Sequence, residues 1–238
     1  MNRKKYGSYS AALTRWKDYM VSMGFGYRLG IDLPGEKRGM IPNAQYYDKW
    51  YKSHWNALTI ISDAIGQGEV MLTPLQVANL GATIANRGYY YIPHIIKASE
   101  GVEIDSKYYE KQYTMVDTTQ FKKVIQGMWR AVNSGYGSGG TGSVAAVDGL
   151  DICGKTGTAQ NPRGADNSVF ICFAPKDNPK IAVAAYIENA GFGATWAAPI
   201  ASLMIEKYLK GEIGDNPTRK ALEQRVLEGD LMARVKTD

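Results

Sequence analysis

The sequence predicts an α+β fold, an antiparallel sheet flanked by helices, and three observations carry that expectation. Helical periodicity recurs along the chain. It is clearest over 118–134, where Phe121, Val124, Ile125, Met128, Trp129 and Val132 fall on one apolar face before Gly135. Behind it lies a cluster of short apolar runs bounded by turn signals: GLDICGKTGTA to Asn161-Pro162, SVFICFA at 168–174 to Pro175, and KIAVAAYIE at 180–188. Asp177-Asn178-Pro179 joins the last two runs, and so short a link suits an antiparallel hairpin, not a crossover.

The remaining elements follow in order. Residues 8–23 carry apolar residues at helical spacing and run into Gly24, a helix and its stop. A glycine- and proline-containing loop region follows to Asn43. Its GFGYRLG matches a dinucleotide fingerprint in letters only, because Ile-Asp-Leu-Pro-Gly follows where a helix should open. Residues 59–72 lead to Thr73-Pro74-Leu75-Gln76, which reads as cap, first-turn proline and capping-box glutamine, with the helix stopping at Gly88. Tyr89-Tyr90-Tyr91-Ile92-Pro93 is extended, and 135–143 is a flexible loop. A last helix starts near Thr195 and shows Ile200, Leu203, Met204 and Tyr208 on one face before Gly211. Residues 1–211 read as part of one domain, and 212–238 as a charged tail, helical or disordered.

Composition bounds the function. Hydrophobic residues make up 45% of the 238 and charged residues 21%, enough for a buried core. No apolar run reaches membrane-spanning length, and no apolar stretch follows the basic start Met-Asn-Arg-Lys-Lys. The chain is therefore either cytoplasmic or a piece whose targeting segment lies elsewhere. Its net charge of +5 permits an anionic partner, but the basic residues are dispersed and read as a solvated surface. No nucleic-acid partner is expected. Cys153 and Cys172 form no CxxC, and His54 and His94 stand alone, so neither a metal nor a cofactor is expected. The two cysteines leave a disulfide and two buried thiols both open.

The stretch GLDICGKTGTAQNP, 149–162, admits two chemistries. Its first eight residues fit the phosphate-cradling G-x-x-x-x-G-K-[ST]. That loop needs a helix directly after its lysine, and Gly-Thr-Ala-Gln-Asn-Pro does not start one. The other chemistry is K-T-G on a strand. Lys155 and Gly157 then share one face and Thr156 the other. A lysine beside a threonine hydroxyl suits a carboxylate, one giving charge and the other a directed hydrogen bond. Gly157 lets a ligand backbone lie close, and the Thr158 N–H is placed to meet a developing oxyanion. On the tripeptide alone, a solvated strand lysine is the better account of Lys155, because K-T-G is short.

The longer pattern separates these. Gly30-Ile31-Asp32-Leu33-Pro34-Gly35-Glu36 comes first, then Ile65-Gly66-Gln67-Gly68 with Thr73-Pro74-Leu75-Gln76, then Gly140-Thr141-Gly142. Gly154-Lys155-Thr156-Gly157-Thr158-Ala159-Gln160, Phe173-Ala174-Pro175 and Glu188-Asn189-Ala190-Gly191 complete the series. In order and spacing, residues from about 10 to 210 resemble the C-terminal half of the transpeptidase domain of class B penicillin-binding proteins, closest to the elongation type. The resemblance implies a partial transpeptidase fold of the penicillin-binding-protein and serine β-lactamase kind. It also implies a serine-type DD-transpeptidase that cross-links peptidoglycan stem peptides and is trapped by β-lactam antibiotics. By the family pattern Lys155, Thr156 and Gly157 belong to the catalytic wall. Lys155, Thr156 and Thr158 hold the substrate or β-lactam carboxylate, and Gln67 is structural.

One departure is large. Nucleophilic catalysis needs a serine with an activating base. No serine here has lysine three residues on or asparagine two residues on, and Ser53 misses the second spacing by one. The expectation is a fragment that grips substrate and is inactive alone, with its partner the missing N-terminal half of the domain, which also holds the family's first two strands. Exposed apolar surface is then expected. The parent would act at the periplasmic face of the inner membrane with cell-wall elongation proteins. The alternatives are a non-catalytic peptidoglycan-binding scaffold or sensor, and a β-lactamase relative for which no water-activating base is found. Asn167-Ser168-Val169 carries no legible role.

Overall fold

The computed structural model describes residues 3–52, 54–97, 101, 103–135, 137–138 and 140–230; Ser53 and the last eight residues of the tail lie outside them. The chain divides into two compact units, Met1–Thr83 with Gly88–Asp117, and Ile84–Arg87 with Thr118–Asp238.

The first unit holds helices α1 (Arg3–Tyr6), α2 (Tyr9–Ser22), α3 (Ala44–Trp50) and most of α4 (Pro74–Ala85), with a two-residue antiparallel pair, β1 (Tyr89–Tyr90) and β2 (Gln112–Tyr113). Ser8 caps α2 by accepting the Ala11 N–H at 3.0 Å. Leu13, Tyr47 and Ile60 form its buried cluster, with Trp16, Tyr46 and Trp55 against it. Thr73 and Gln76 close the anticipated capping box: Gln76 N–H donates to Thr73 Oγ1, and Thr73 N–H to Gln76 Oε1. The other end of the Gln76 amide donates to the carbonyls of Tyr27 and Arg38, each at 3.0 Å, so this buried side chain fastens the glycine-rich loop to α4. Glu36 accepts the N–H groups of Leu29 and Gly30, and Asp32 those of Ile95 and Ile96. The amides of Ile96 and Ile95 hold the Asp32 carboxyl below its ordinary value. The acidic residues of the Gly-Ile-Asp-Leu-Pro-Gly-Glu stretch are thus loop staples. Gly39 has φ +63, and a Cβ there would stand 2.3 Å from the Met71 carbonyl oxygen, so no other residue fits.

The second unit holds α5 (Thr118–Asn133), β3 (Cys153–Ala159), β4 (Asn167–Ala174), β5 (Ile181–Ile187), α6 (Ala197–Lys210) and α7 (Pro217–Glu228). The strands form one antiparallel sheet in the order β3-β4-β5. Phe170, Cys172, Val183 and Ala185 pack with Val132 of α5 and with Ala197, Ala198, Ala201 and Ile205 of α6. The apolar face anticipated on α6 is therefore not its sheet face. Small residues let that helix approach the strands, while Met204 and Tyr208 stay exposed and, with Ile200 and Leu203, line a groove beside α7. The first half of the tail is ordered as α7. It is tied to α6 by Arg219 Nε on Glu206 Oε2 at 2.8 Å, both side chains buried. Cys153 and Cys172 are free and buried. Cys153 pairs with Phe173 and Cys172 with Gly154, so strand alternation points the two thiols to opposite faces.

Candidate functional site

The K-T-G run lies within β3, an outer strand of the sheet. Strand structure continues through Ala159, so residues 149–156 do not fold as a phosphate-cradling loop, which requires a helix there. The register is Lys155↔Ile171, Thr156↔Phe170, Gly157↔Val169 and Thr158↔Ser168. Directly opposed residues share a face, so Lys155 and Gly157 stand on one side and Thr156 and Thr158 on the other.

Two glycines make this strand lie as it does. At Gly154 a Cβ would stand 2.4 Å from Cζ of Phe170, whose ring is fully buried beneath it. At Gly193 a Cβ would stand 2.3 Å from the Val169 carbonyl oxygen and 2.7 Å from that of Gly157. Those two carbonyls therefore lie close together between the strands, and Gly157 spends its backbone groups on β4. By antiparallel alternation, the backbone groups of Thr156 and Thr158 point to the other edge. Gly193 also shows that the segment after β5 presses flat on this part of the sheet. It is fixed there by Ser168, which donates to the Phe192 carbonyl at 2.8 Å and accepts the Ala197 N–H at 3.1 Å. The α6 N-terminus has no side-chain cap of its own, and Ser168 supplies the partner from β4. Asn167 Oδ1 accepts the Asn189 N–H at 3.0 Å. The Asn167-Ser168 pair thereby has its role: it clamps the loop that backs the K-T-G strand.

Lys155 is exposed, and its Nζ donates to the Thr156 carbonyl at 2.7 Å. The ammonium thus sits along the open edge of β3. Thr156 Oγ1 lies 3.1 Å from Thr141 Oγ1. Thr141 belongs to Gly140-Thr141-Gly142, where the Gly142 N–H donates to the Ala131 carbonyl at the end of α5. Sequence reasoning singled out that tripeptide without assigning its threonine a contact, because a hydroxyl pair fifteen residues apart leaves no mark on local periodicity. Beneath the strand, burial pushes the Cys153 thiol up to about 12, and it pushes Cys172 up as well, so neither is a nucleophile. Among the described residues no three His, Cys, Asp or Glu side chains are grouped to hold a metal, and no helix is long and apolar enough to cross a membrane. The Gln67 loop lies in the first unit, where Gln67 N–H donates to the Ser62 carbonyl after the left-handed Gly66.

Comparison with known proteins places this strand in context. The penicillin binding protein transpeptidase domain family matches residues 7–206. The peptidoglycan D,D-transpeptidase MrdA of Haemophilus influenzae is 34% identical over 221 residues, covering 85% of this chain and 34% of that protein. The chain thus spans about a third of that relative's length. The crystal structure of Pseudomonas aeruginosa PBP2 in complex with WCK 5153 superposes with a TM-score of 0.71 at 31% identity, covering 85% of this chain and 44% of that one. A structure describing coordination of polymerization and crosslinking by a peptidoglycan synthase complex superposes with a TM-score of 0.69 at 27% identity, covering 87% and 34%.

Proposed function

This chain belongs to the penicillin binding protein transpeptidase domain family, and on that premise we propose that it supplies the ligand-gripping wall of a peptidoglycan D,D-transpeptidase. One observation carries the reading. Lys155, Thr156 and Thr158 occupy an outer strand whose edge groups are turned away from β4. A peptide ending in D-alanyl-D-alanine, or a β-lactam, adds along that edge as an extra strand. Its carboxylate draws the Lys155 ammonium from the Thr156 carbonyl, exchanging a neutral acceptor for a charged one. The Thr156 and Thr158 hydroxyls complete the grip, the Thr158 N–H gives half of the oxyanion hole, and Gly157 leaves room for the ligand.

Residues 1–238 contain no Ser-x-x-Lys and no Ser-x-Asn. In this reading the acylating serine and its base come from the N-terminal half of the domain, and the chain alone does not acylate. The complete protein acts at the periplasmic face of the inner membrane on peptidoglycan stem peptides and is inhibited by β-lactams. Its partners are cell-wall elongation proteins, a view supported by the likeness to a protein from a peptidoglycan synthase complex. The same absence of Ser-x-x-Lys favours one other reading, a non-catalytic peptidoglycan-binding scaffold or sensor.

Covalent labelling with a fluorescent penicillin tests the proposal. This chain alone should take no label, and a longer protein containing it should label. Lys155→Ala in that protein should slow labelling about 10- to 100-fold, the worth of a hydrogen bond to a charged group, about 1.5–3 kcal/mol. A longer protein that takes no label would hand the function to the scaffold reading. Labelling unchanged by Lys155→Ala would remove that residue from the site.

A further inference from the structure

We propose that Thr141 is a positioning residue for ligand carboxylates: it donates its hydroxyl proton to Thr156 Oγ1, which leaves the Thr156 proton for the ligand. The inference rests on the reading of β3 as the ligand-gripping strand.

Three features build this perch. The two hydroxyl oxygens stand 3.1 Å apart, within hydrogen-bond reach. The flanking glycines fix the backbone between them. A Cβ on Gly140 would stand 2.6 Å from the Gly135 carbonyl oxygen, and one on Gly142 would stand 3.2 Å from the Phe170 ring and 3.3 Å from the Ala131 carbonyl oxygen. Gly140 and Gly142 also donate their N–H groups to those same two carbonyls, so Thr141 is pinned on both sides, by backbone with no room for a side chain at Gly140 and little at Gly142. The Phe170 ring that crowds Gly142 is the ring that crowds Gly154, one residue before Lys155. One buried aromatic therefore sets the height of the Thr141 loop and of the strand it serves.

The chemistry follows from counting protons. A threonine hydroxyl has one proton and two acceptor lone pairs. With no ligand, the Thr156 proton is satisfied by Thr141 Oγ1. A carboxylate accepts only, so it must take that proton, and Thr156 Oγ1 is then left to accept. Thr141, exposed and rotatable, turns its own proton toward it. The result is a chain running from the Thr141 hydroxyl through the Thr156 hydroxyl to the carboxylate, in which each bond polarises the next. A C-terminal amide needs no such chain, because it brings its own donors. Thr141 thus selects the free acid over the amide.

The test is a titration of the isotopically labelled chain, followed at the Thr156 and Thr158 methyl signals, with diacetyl-lysyl-D-alanyl-D-alanine and with its C-terminal amide. Thr141→Val should weaken binding of the acid about five- to tenfold and leave the amide unchanged. Thr141→Ser should bind the acid within about twofold of wild type, and Thr141→Ala should match Thr141→Val. Equal weakening of acid and amide would make Thr141 merely structural and overturn the proposal, as would a Thr141→Val chain that binds the acid like wild type. Wild-type chain that shows no shifts with the acid would instead bring down the reading of β3 itself.

Discussion

Arg219→Met should release the C-terminal helix. Arg219 is 5% exposed and Glu206 1% exposed, with Nε on Oε2 at 2.8 Å. Arg219 Nη1 also donates to Ser202 Oγ at 3.2 Å. Without the guanidinium, Glu206 keeps, among the described residues, the Gly214 N–H at 3.3 Å and Lys210 Nζ at 3.8 Å. Two unit charges at this distance attract by about 6 kcal/mol at an effective dielectric of 20, before desolvation is subtracted. Removing one partner of such a buried pair costs about 3–5 kcal/mol, because the other charge stays buried. The chain has a cheaper escape: undocking α7, Pro217–Glu228, re-exposes Glu206 to water. The variant should therefore lose amide-exchange protection across α7 before the sheet unfolds, and urea denaturation should read a loss of up to about 3–5 kcal/mol. Glu206→Gln/Arg219→Met, which removes the charge and keeps an acceptor for Gly214, should recover most of it. A loss under about 1 kcal/mol with α7 still protected, or a double variant no better than the single, would refute the reasoning.

Two further outcomes follow from the same packing. Gly154→Ala should lower stability by about 1–3 kcal/mol, since its methyl meets the buried Phe170 ring at 2.4 Å; a thermal melt coincident with wild type would contradict that contact. The Tyr47 phenol has one proton yet faces Asp63 Oδ2 at 2.8 Å and Glu69 Oε2 at 2.7 Å. Burial, with the Glu69 charge adding, holds the Asp63 carboxyl above its ordinary 3.8. A raised carboxyl favours the neutral form in the fold, so its contribution is full below pH 3.8 and is lost as pH rises through the folded value. Asp63→Asn should therefore be more stable than wild type at pH 8, with the gap closing toward pH 3.8. A gap that stays constant or widens on acidification would show that burial does not govern this group.

Much of the second unit was legible because its signals are local. β4 is an apolar run ending at Pro175, β5 starts just after Asn178-Pro179, and the face read on α5 holds Phe121, Ile125, Met128 and Val132 buried, although Val124 on that face is exposed and Trp129 is half-buried. Thr73-Pro74-Leu75-Gln76 behaved as its letters required, down to both capping bonds. The misreadings share a physical cause: hydropathy does not report which neighbour a face meets. On α6 the bulkier Ile200, Met204 and Tyr208 line the groove beside α7, while Ala197, Ala198 and Ala201, with Ile205, face the sheet because small residues allow close approach. α3, with Ala44-Gln45-Tyr46-Tyr47-Asp48-Lys49-Trp50, is an aromatic helix too short for periodicity to reveal. At the candidate site, strand, lysine and threonines were readable. The hydroxyl of Thr141, the clamp of Ser168 and the flat approach of Gly193 were not, because each is a contact between residues distant in sequence.

The central claim is that the open edge of β3 receives the carboxylate end of a stem peptide. The most direct measurement is a backbone chemical-shift map of this chain titrated with diacetyl-lysyl-D-alanyl-D-alanine, repeated on Lys155→Ala. The account predicts shifts concentrated at residues 154–159 and at Thr141, abolished or at least tenfold weaker in Lys155→Ala. Shifts concentrated elsewhere in the chain, or a map that Lys155→Ala leaves intact, would contradict it.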